Sequence, residues 1–235
     1  KEVSPAILVS WFNGSEGGNA LADVLAGVLS PSGKLPFTYP LKLEDNQAYK
    51  LNLYPQITEQ EREDIFVNLV NRKEGQERLS PIAEYAEGIF VGYRWFGHGL
   101  SYTTFDYSDL KVKRLDDGLQ VTFQLKNTGK YDAEEVVQLY VGRPDSKVER
   151  PMKELKAFCR VNLKAGESEI VSLFVSKAKF RHWDEAIDGW NVEAGKVDVY
   201  VGSSSQDIRL EAEYLINYDS DYTVYSKDKT TVADM

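Results

Sequence analysis

Residues 6–40 read AILVSWFNGSEGGNALADVLAGVLSPSGKLPFTYP, and this stretch decides the fold. The run Ala6-Ile7-Leu8-Val9-Ser10-Trp11-Phe12 is short, apolar and rich in β-formers, the pattern of a strand buried on both faces. A polar, glycine-rich turn follows, Asn13-Gly14-Ser15-Glu16-Gly17-Gly18. Ala20, Leu21, Val24, Leu25 and Val28 then recur at helical spacing, with Asp23 between them. Asn19 is placed to cap that helix by accepting hydrogen bonds from its free N–H groups. Pro31 and Gly33 stop it, and Lys34 to Pro40 leaves as an extended segment because proline excludes helix. Strand, glycine turn, helix and exit make one half of an α/β layer.

One strand and one helix cannot complete such a layer, since a lone buried strand leaves its backbone unpaired. Partner strands must come from other polypeptide, and residues 1–40 are predicted to order only when that sheet is present. Helix N-termini attract anions, but no Lys-Ser/Thr pair follows the glycines and the run is not GxGxxG. Gly14-Ser15-Glu16-Gly17 also has the wrong spacing for a GxSxG nucleophile elbow. Asn13-Gly14-Ser15 is formally a glycosylation sequon, expected to stay unmodified in so tight a turn.

Composition narrows the field. The 235 residues suffice for one large or two modest domains, and 42% hydrophobic and 12% aromatic content suffice for real cores. No run of about 18 apolar residues spans a membrane, and no basic segment leads into an apolar one at the start as in a signal peptide. A net charge of −9 argues against nucleic acid and other polyanions as partners. Cys159 is the only cysteine, so no intrachain disulfide forms, and its strand-like setting predicts a buried small hydrophobe. One free thiol is compatible with a periplasmic or secreted home, the favoured compartment.

The stretch 6–40 closely resembles the end of the second domain of glycoside hydrolase family 3. That domain closes with a buried strand, a G-x-E-G/S-G loop, a helix like NALADVL, and NPSGKLP-T-P. Here these are Gly14-Ser15-Glu16-Gly17-Gly18, Asn19 to Leu25, and Ser30 to Pro40. Residues Tyr85 to Phe96 are similar to the family's Y-x-E-G-I-F-V-G-Y-R-W/Y-F, and Phe96 to Phe105 to its F-G-H-G-L-S-Y-T-x-F. Residues 106–213 resemble its fibronectin type III-like domain. The family carries roughly ten residues between the equivalents of Phe96 and Gly97. Their direct junction here is either a deletion or, as we favour, the mark of a loop missing from the chain.

The remaining segments read in order. Leu41 to Leu79 is rich in charge, and the helix formers of Glu59 to Asp64, with Ile65, Phe66, Leu69 and Val70 beyond, predict a helix over 57–71. From Tyr107 the pattern turns all-β. Runs at 110–115, 119–125, 136–141, 155–163, 169–175, 197–202 and 208–214 are separated by turns such as Asp116-Asp117-Gly118 and Asn127-Thr128-Gly129. In 119–125 the apolar side falls on odd positions. Such a set predicts an antiparallel sandwich. Trp183 and Trp190 are expected to pack in the core or at an edge.

The fold class expected is therefore α+β. Residues 1–40 are the strand–helix unit of an α/β sandwich domain, 41–105 a connecting segment, 106–216 a fibronectin type III-like β-sandwich, and 217–235 a polar tail.

No catalytic residue is expected within the chain. The resemblance implies a retaining β-glycosidase with an Asp nucleophile and a second group, commonly Glu, as acid/base. Such a mechanism needs its carboxyls about 5–5.5 Å apart. The family holds the nucleophile in a barrel domain and the acid/base on a loop ahead of the strand that opens this chain, and neither motif is found. Glu16 lies in the glycine loop, away from the family's usual acid/base position, and is expected to hydrogen-bond neighbouring backbone. Substrate contact is a candidate role for Trp95, Phe96 and Glu16; packing between domains is the competing role for the aromatics. His98, His182 and Cys159 lack metal-ligand spacing, and the family implies no cofactor.

The resemblance implies that the chain is the C-terminal, structural portion of an enzyme hydrolysing terminal non-reducing β-D-glucosyl residues, or alternatively β-xylosyl ones. Its partners would be the rest of the α/β and barrel domains and, through the parent enzyme, a β-linked oligosaccharide or glucoside. The alternative is a non-catalytic fibronectin-like module that binds polysaccharide or protein, for which a line of exposed aromatics on one face would speak.

Overall fold

Period-two alternation builds most of the molecule. In the computed structural model, residues 4, 6–50, 60, 63–64, 97–216 and 225–226 are described. They fall into two units, Lys1–Leu35 with Gly97–Met235, and Pro36–Phe96.

The seven runs expected as strands all form. They are β1 (Phe105–Leu115), β2 (Gly118–Asn127), β3 (Ala133–Gly142), β4 (Glu154–Leu163) and β5 (Ser168–Ser176), then, past two short strands, β8 (Gly195–Gly202) and β9 (Ile208–Ile216). The short ones, β6 (His182–Asp184) and β7 (Gly189–Asn191), make a hairpin to which β10 (Tyr225–Ser226) adds a third strand. One sheet runs β1-β2-β5 and the other β4-β3-β8-β9, all antiparallel. This is the two-layer sandwich expected from the sequence.

The inward side chains follow the alternation. Leu119, Val121, Phe123 and Leu125 on β2 face Val137, Leu139 and Val141 on β3 and Val197, Val199 and Val201 on β8, all buried. Buried residues of this size contribute roughly 1.5–3 kcal/mol each. Asp109, with φ of 57°, sits in the register shift between Ser108 and Lys111 and kinks β1 there. Cys159 is half-buried rather than buried, because β4 is an edge strand.

The N-terminal unit departs from its expected form. Helix α1 (Gly17–Leu25) forms, but residues 6–12 make no strand. Ile7, Leu8, Trp11 and Phe12 are exposed, and Trp11 has a φ of 51°, outside the strand region. The physical cause is the one already named: no other strand among the described residues lies alongside to pair with this backbone. Helix α1 likewise leaves Leu21 and Leu25 exposed, and Val28 and Leu29 just beyond it.

Asn19 does not cap α1. The helix starts at Gly17, so Asn19 is its third residue, and the residue before the helix is Glu16. The amide of Asn19 instead reaches back and donates to the Glu16 carboxylate at 2.6 Å.

In the second unit, a short 3-10 turn (Leu43–Asp45) precedes α2 (Gln47–Lys50). Asp45 accepts from the Lys42 amide and Asn46 from the Tyr49 amide, so each turn is capped by a side chain. Of the predicted helix 57–71, Gln60, Glu63 and Asp64 are described and helical; the rest lies outside the described residues.

Candidate functional site

Among the described residues, a heavily connected polar cluster lies where the chain enters and leaves the sandwich. Segment 30–35 is extended after Pro31, and segment 97–104 runs into β1. They cross each other with two backbone hydrogen bonds. The Gly97 amide donates to the Leu35 carbonyl at 2.9 Å, and the Leu35 amide to the His98 carbonyl at 2.8 Å. The glycines are there for close approach. A Cβ on Gly99 would overlap the Gly33 carbonyl, and one on Gly97, whose φ is 81°, would overlap the Gln138 side chain.

Beneath this crossing sits Glu135. Its position on β3 is an inward one, in step with Val137 and Leu139, and its side chain is 5% exposed. A buried carboxylate must be paired. The Lys34 ammonium donates to Oε1 at 3.1 Å, and the Tyr107 hydroxyl donates to the same oxygen at 3.1 Å. Burial first, and then the Glu135 charge, push the Tyr107 hydroxyl pKa far above its usual value, so it remains a donor. Tyr107 also stacks on Phe123, and the Arg209 guanidinium lies over the Tyr107 ring, 5.9 Å from its centroid. Arg209 in turn holds Asp207 with two bonds, at 2.6 and 2.8 Å.

The neighbouring contacts close the arrangement. Ser32 donates to Glu134 at 3.3 Å. Gln138, buried on the other side of β3, donates to the Gly97 and Ser203 carbonyls and accepts from Tyr140. Thr103 donates to Asn127, which itself donates to the Tyr131 and Leu163 carbonyls. Ser30 and Ser101 share a hydrogen bond at 2.8 Å.

This is a structural constellation, and it does not gather the candidates from the sequence. Glu16 is exposed, bonded to Asn19, and its backbone carbonyl accepts the Ala20 amide. Trp95 and Phe96 lie outside the described residues. Among the described residues, no group of three or more His, Cys, Asp or Glu side chains could hold a metal ion, and no helix is long and apolar enough to cross a membrane. Trp183 and Trp190 pack edge to face at 5.6 Å on the β6–β7 hairpin, with Arg181 over Trp190.

The reading of the residues missed the Lys34–Glu135 pair, although a signal was present. Ala133, Glu135, Val137, Leu139 and Val141 alternate on one face, and an acid in that series demands a buried partner.

Fold and sequence comparison agree on the class. A two-layer sandwich follows the segment that carries helix α1, and residues 135–205 match the fibronectin type III-like domain. Residues 1–93 match the glycosyl hydrolase family 3 C-terminal domain.

The chain is similar to the C-terminal part of glycoside hydrolase family 3 enzymes. It is 39% identical over 224 residues to the beta-glucosidase BoGH3A of Bacteroides ovatus, covering 89% of this chain and 27% of that protein. It is 39% identical over 227 residues to the thermostable beta-glucosidase B of Acetivibrio thermocellus, covering 90% and 27%. The beta-glucosidase structure from Bifidobacterium adolescentis superposes with a TM-score of 0.72 at 33% identity, over 96% of this chain and 32% of that one. Beta-glucosidase 3B from Thermotoga neapolitana, in complex with glucose, gives 0.69 at 32% identity, over 91% and 28%. The chain thus spans about a quarter to a third of the length of these relatives.

Proposed function

We propose that this chain is the C-terminal, structural portion of a retaining family 3 β-glucosidase, one that removes terminal non-reducing β-D-glucosyl residues. The observation that carries the reading is the exposed apolar surface of Ile7, Leu8, Phe12, Leu21 and Leu25. An apolar patch of this kind is an interface awaiting a partner, and further strands of an α/β sheet would both pair the 6–12 backbone and bury the α1 face. The nucleophile and the acid/base would lie in other parts of the polypeptide, and the sandwich would buttress the α/β layer. No metal or organic cofactor is needed for that chemistry, which uses two carboxyl groups.

The test compares the chain alone with the natural polypeptide that contains it, after an intact mass of each under denaturing conditions. Aryl β-glucoside turnover by the longer polypeptide and none by the chain is the expected result. Preference for the β-xyloside would reassign the sugar, and loss of both activities in the longer polypeptide would overturn the reading.

The binding-module alternative draws on Trp183, which is 36% exposed. The exposed Phe158 and Phe174, on β4 and β5, line one shared surface cleft with Leu155 and Lys179, and this pair of aromatics also counts toward that alternative. Retention of the chain on insoluble β-glucan, abolished by Trp183→Ala, would support it.

A further inference from the structure

The segment Pro36–Phe96 leaves the sandwich unit at Leu35 and rejoins it at Gly97, and those two residues are hydrogen-bonded to each other. Leu35 and Gly97, where the chain departs and returns, thus meet in one crossing. What holds that crossing is chiefly one side chain from each party. Lys34 immediately precedes the closing residue Leu35, its side chain is 11% exposed, and its stem runs beside Gly99. Glu135 belongs to the sandwich core and has no other cation within bonding distance among the described residues. Gln138 adds a weaker hold on Gly97 from the same strand, at 3.3 Å.

We propose that Glu135 is a positioning residue: through Lys34 it clamps the crossing at Leu35 and Gly97, so that the sandwich holds segment 30–35, and with it the end of helix α1, in place in the intact enzyme. The inference rests on the reading above for its catalytic consequence but not for its structural content. A surface ion pair could not do this, because solvent and side-chain entropy would cancel most of its attraction. A pair with both side chains almost fully enclosed differs, since removing one partner strands the other in a place where water cannot solvate it. The crossing should then open locally, while the β-ladders of the sandwich stay closed.

The experiment uses the full natural polypeptide and reads amide hydrogen exchange in peptides covering Leu35 and Gly97. Glu135→Gln keeps an oxygen for Tyr107 but removes the charge that holds Lys34. Lys34→Met keeps the stem and removes the ammonium. Each is expected to speed exchange at Leu35 and Gly97 by about tenfold or more, with β2 unchanged, and the double variant should be no faster than the singles. A core variant on the far sheet, Val171→Ala, serves as the comparison, because a merely structural effect raises exchange in β2 and at the crossing together.

Exchange that stays unchanged at the crossing, rises equally in β2, or adds up in the double variant would overturn the proposal. In the same samples, kcat for an aryl β-glucoside should fall more than KM rises. Local opening with kcat and KM both unaltered would likewise overturn the positioning role. If the wild-type polypeptide has no glucosidase activity, the functional reading fails, while the exchange data still decide the clamp.

Discussion

The hydroxyl of Tyr102 donates to the main-chain carbonyl of Val24 across 2.9 Å, tying the last turn of α1 to the segment that leads into the sandwich. Helix ends leave carbonyls without intrahelical partners, and here one that accepts the nearby Gly27 amide gains a second bond from a residue far along the chain. Tyr102→Phe should therefore loosen the end of α1 by about 1 kcal/mol. Amide exchange at Val28 and Leu29, which bond back into the same turn, should quicken. If those amides are unaffected, the tether carries no weight.

Asn127 predicts a larger effect. It is fully buried, accepts from Thr103 and the Gly129 amide, and donates to two carbonyls. Asn127→Leu removes all four bonds and leaves those buried groups without partners. We expect a loss of about 3 kcal/mol or more in urea unfolding of the chain. A change below about 1 kcal/mol would show that water replaces the side chain.

Gly97→Ala tests the crossing from its backbone side. The φ of 81° strains an L-residue, and the added methyl meets the Gln138 side chain. The expected cost is about 2 kcal/mol. Gly166, with φ of 80° and open space around it, supplies the control: Gly166→Ala should cost only the backbone part.

Acidification should weaken the sandwich in two windows. Burial and then Arg150 push the His182 imidazole below its ordinary pKa, so the folded state binds its proton less readily than the unfolded one. Stability is full above about pH 6.5 and declines as pH falls from there toward the folded value. Lower down, two carboxylates act. Burial alone would raise Glu193, but hydrogen bonds from Ser146 and the Lys147 amide, with Arg150 and Arg143, hold it below the usual range. The Arg209 hydrogen bond lowers Asp207. Their contribution is present above about pH 4.3 and is lost as pH falls through the folded values. Urea midpoints between pH 7.5 and 5.5 should slope less in His182→Gln than in the parent; equal slopes would remove His182 from the account.

Glu16→Gln in the longer polypeptide should leave aryl β-glucoside turnover within about twofold, since the Glu16 carboxylate is exposed and its bond runs to Asn19. A drop of a hundredfold or more would make Glu16 part of the chemistry.

The sandwich was legible because its strands obey a local rule. In β2, four odd residues point inward, and reading their alternation needs no knowledge of anything distant. The run 6–12 has equally strong strand chemistry and forms none, because pairing depends on polypeptide that must lie alongside. Asn19 failed as a cap for a local reason: the glycine turn already bends into the helix, which begins three residues early. Lys34 and Glu135 are a hundred and one positions apart. Only the misplaced acid on an inward register hinted at the pair, and nothing in the sequence says which cation answers it. Trp95 and Phe96, the aromatic candidates, fall outside the described residues and stay as expectations.

The crossing at Leu35 and Gly97 also bears on how this region can change over time. A segment whose two ends are already joined adds only loop-closure entropy when it lengthens, about 0.6 kcal/mol per doubling. Residues can therefore be inserted into or deleted from Pro36–Phe96 without re-registering a single strand of the sandwich. The junction works as a fixed anchor that keeps Leu35 and Gly97 together whatever the length of chain between them.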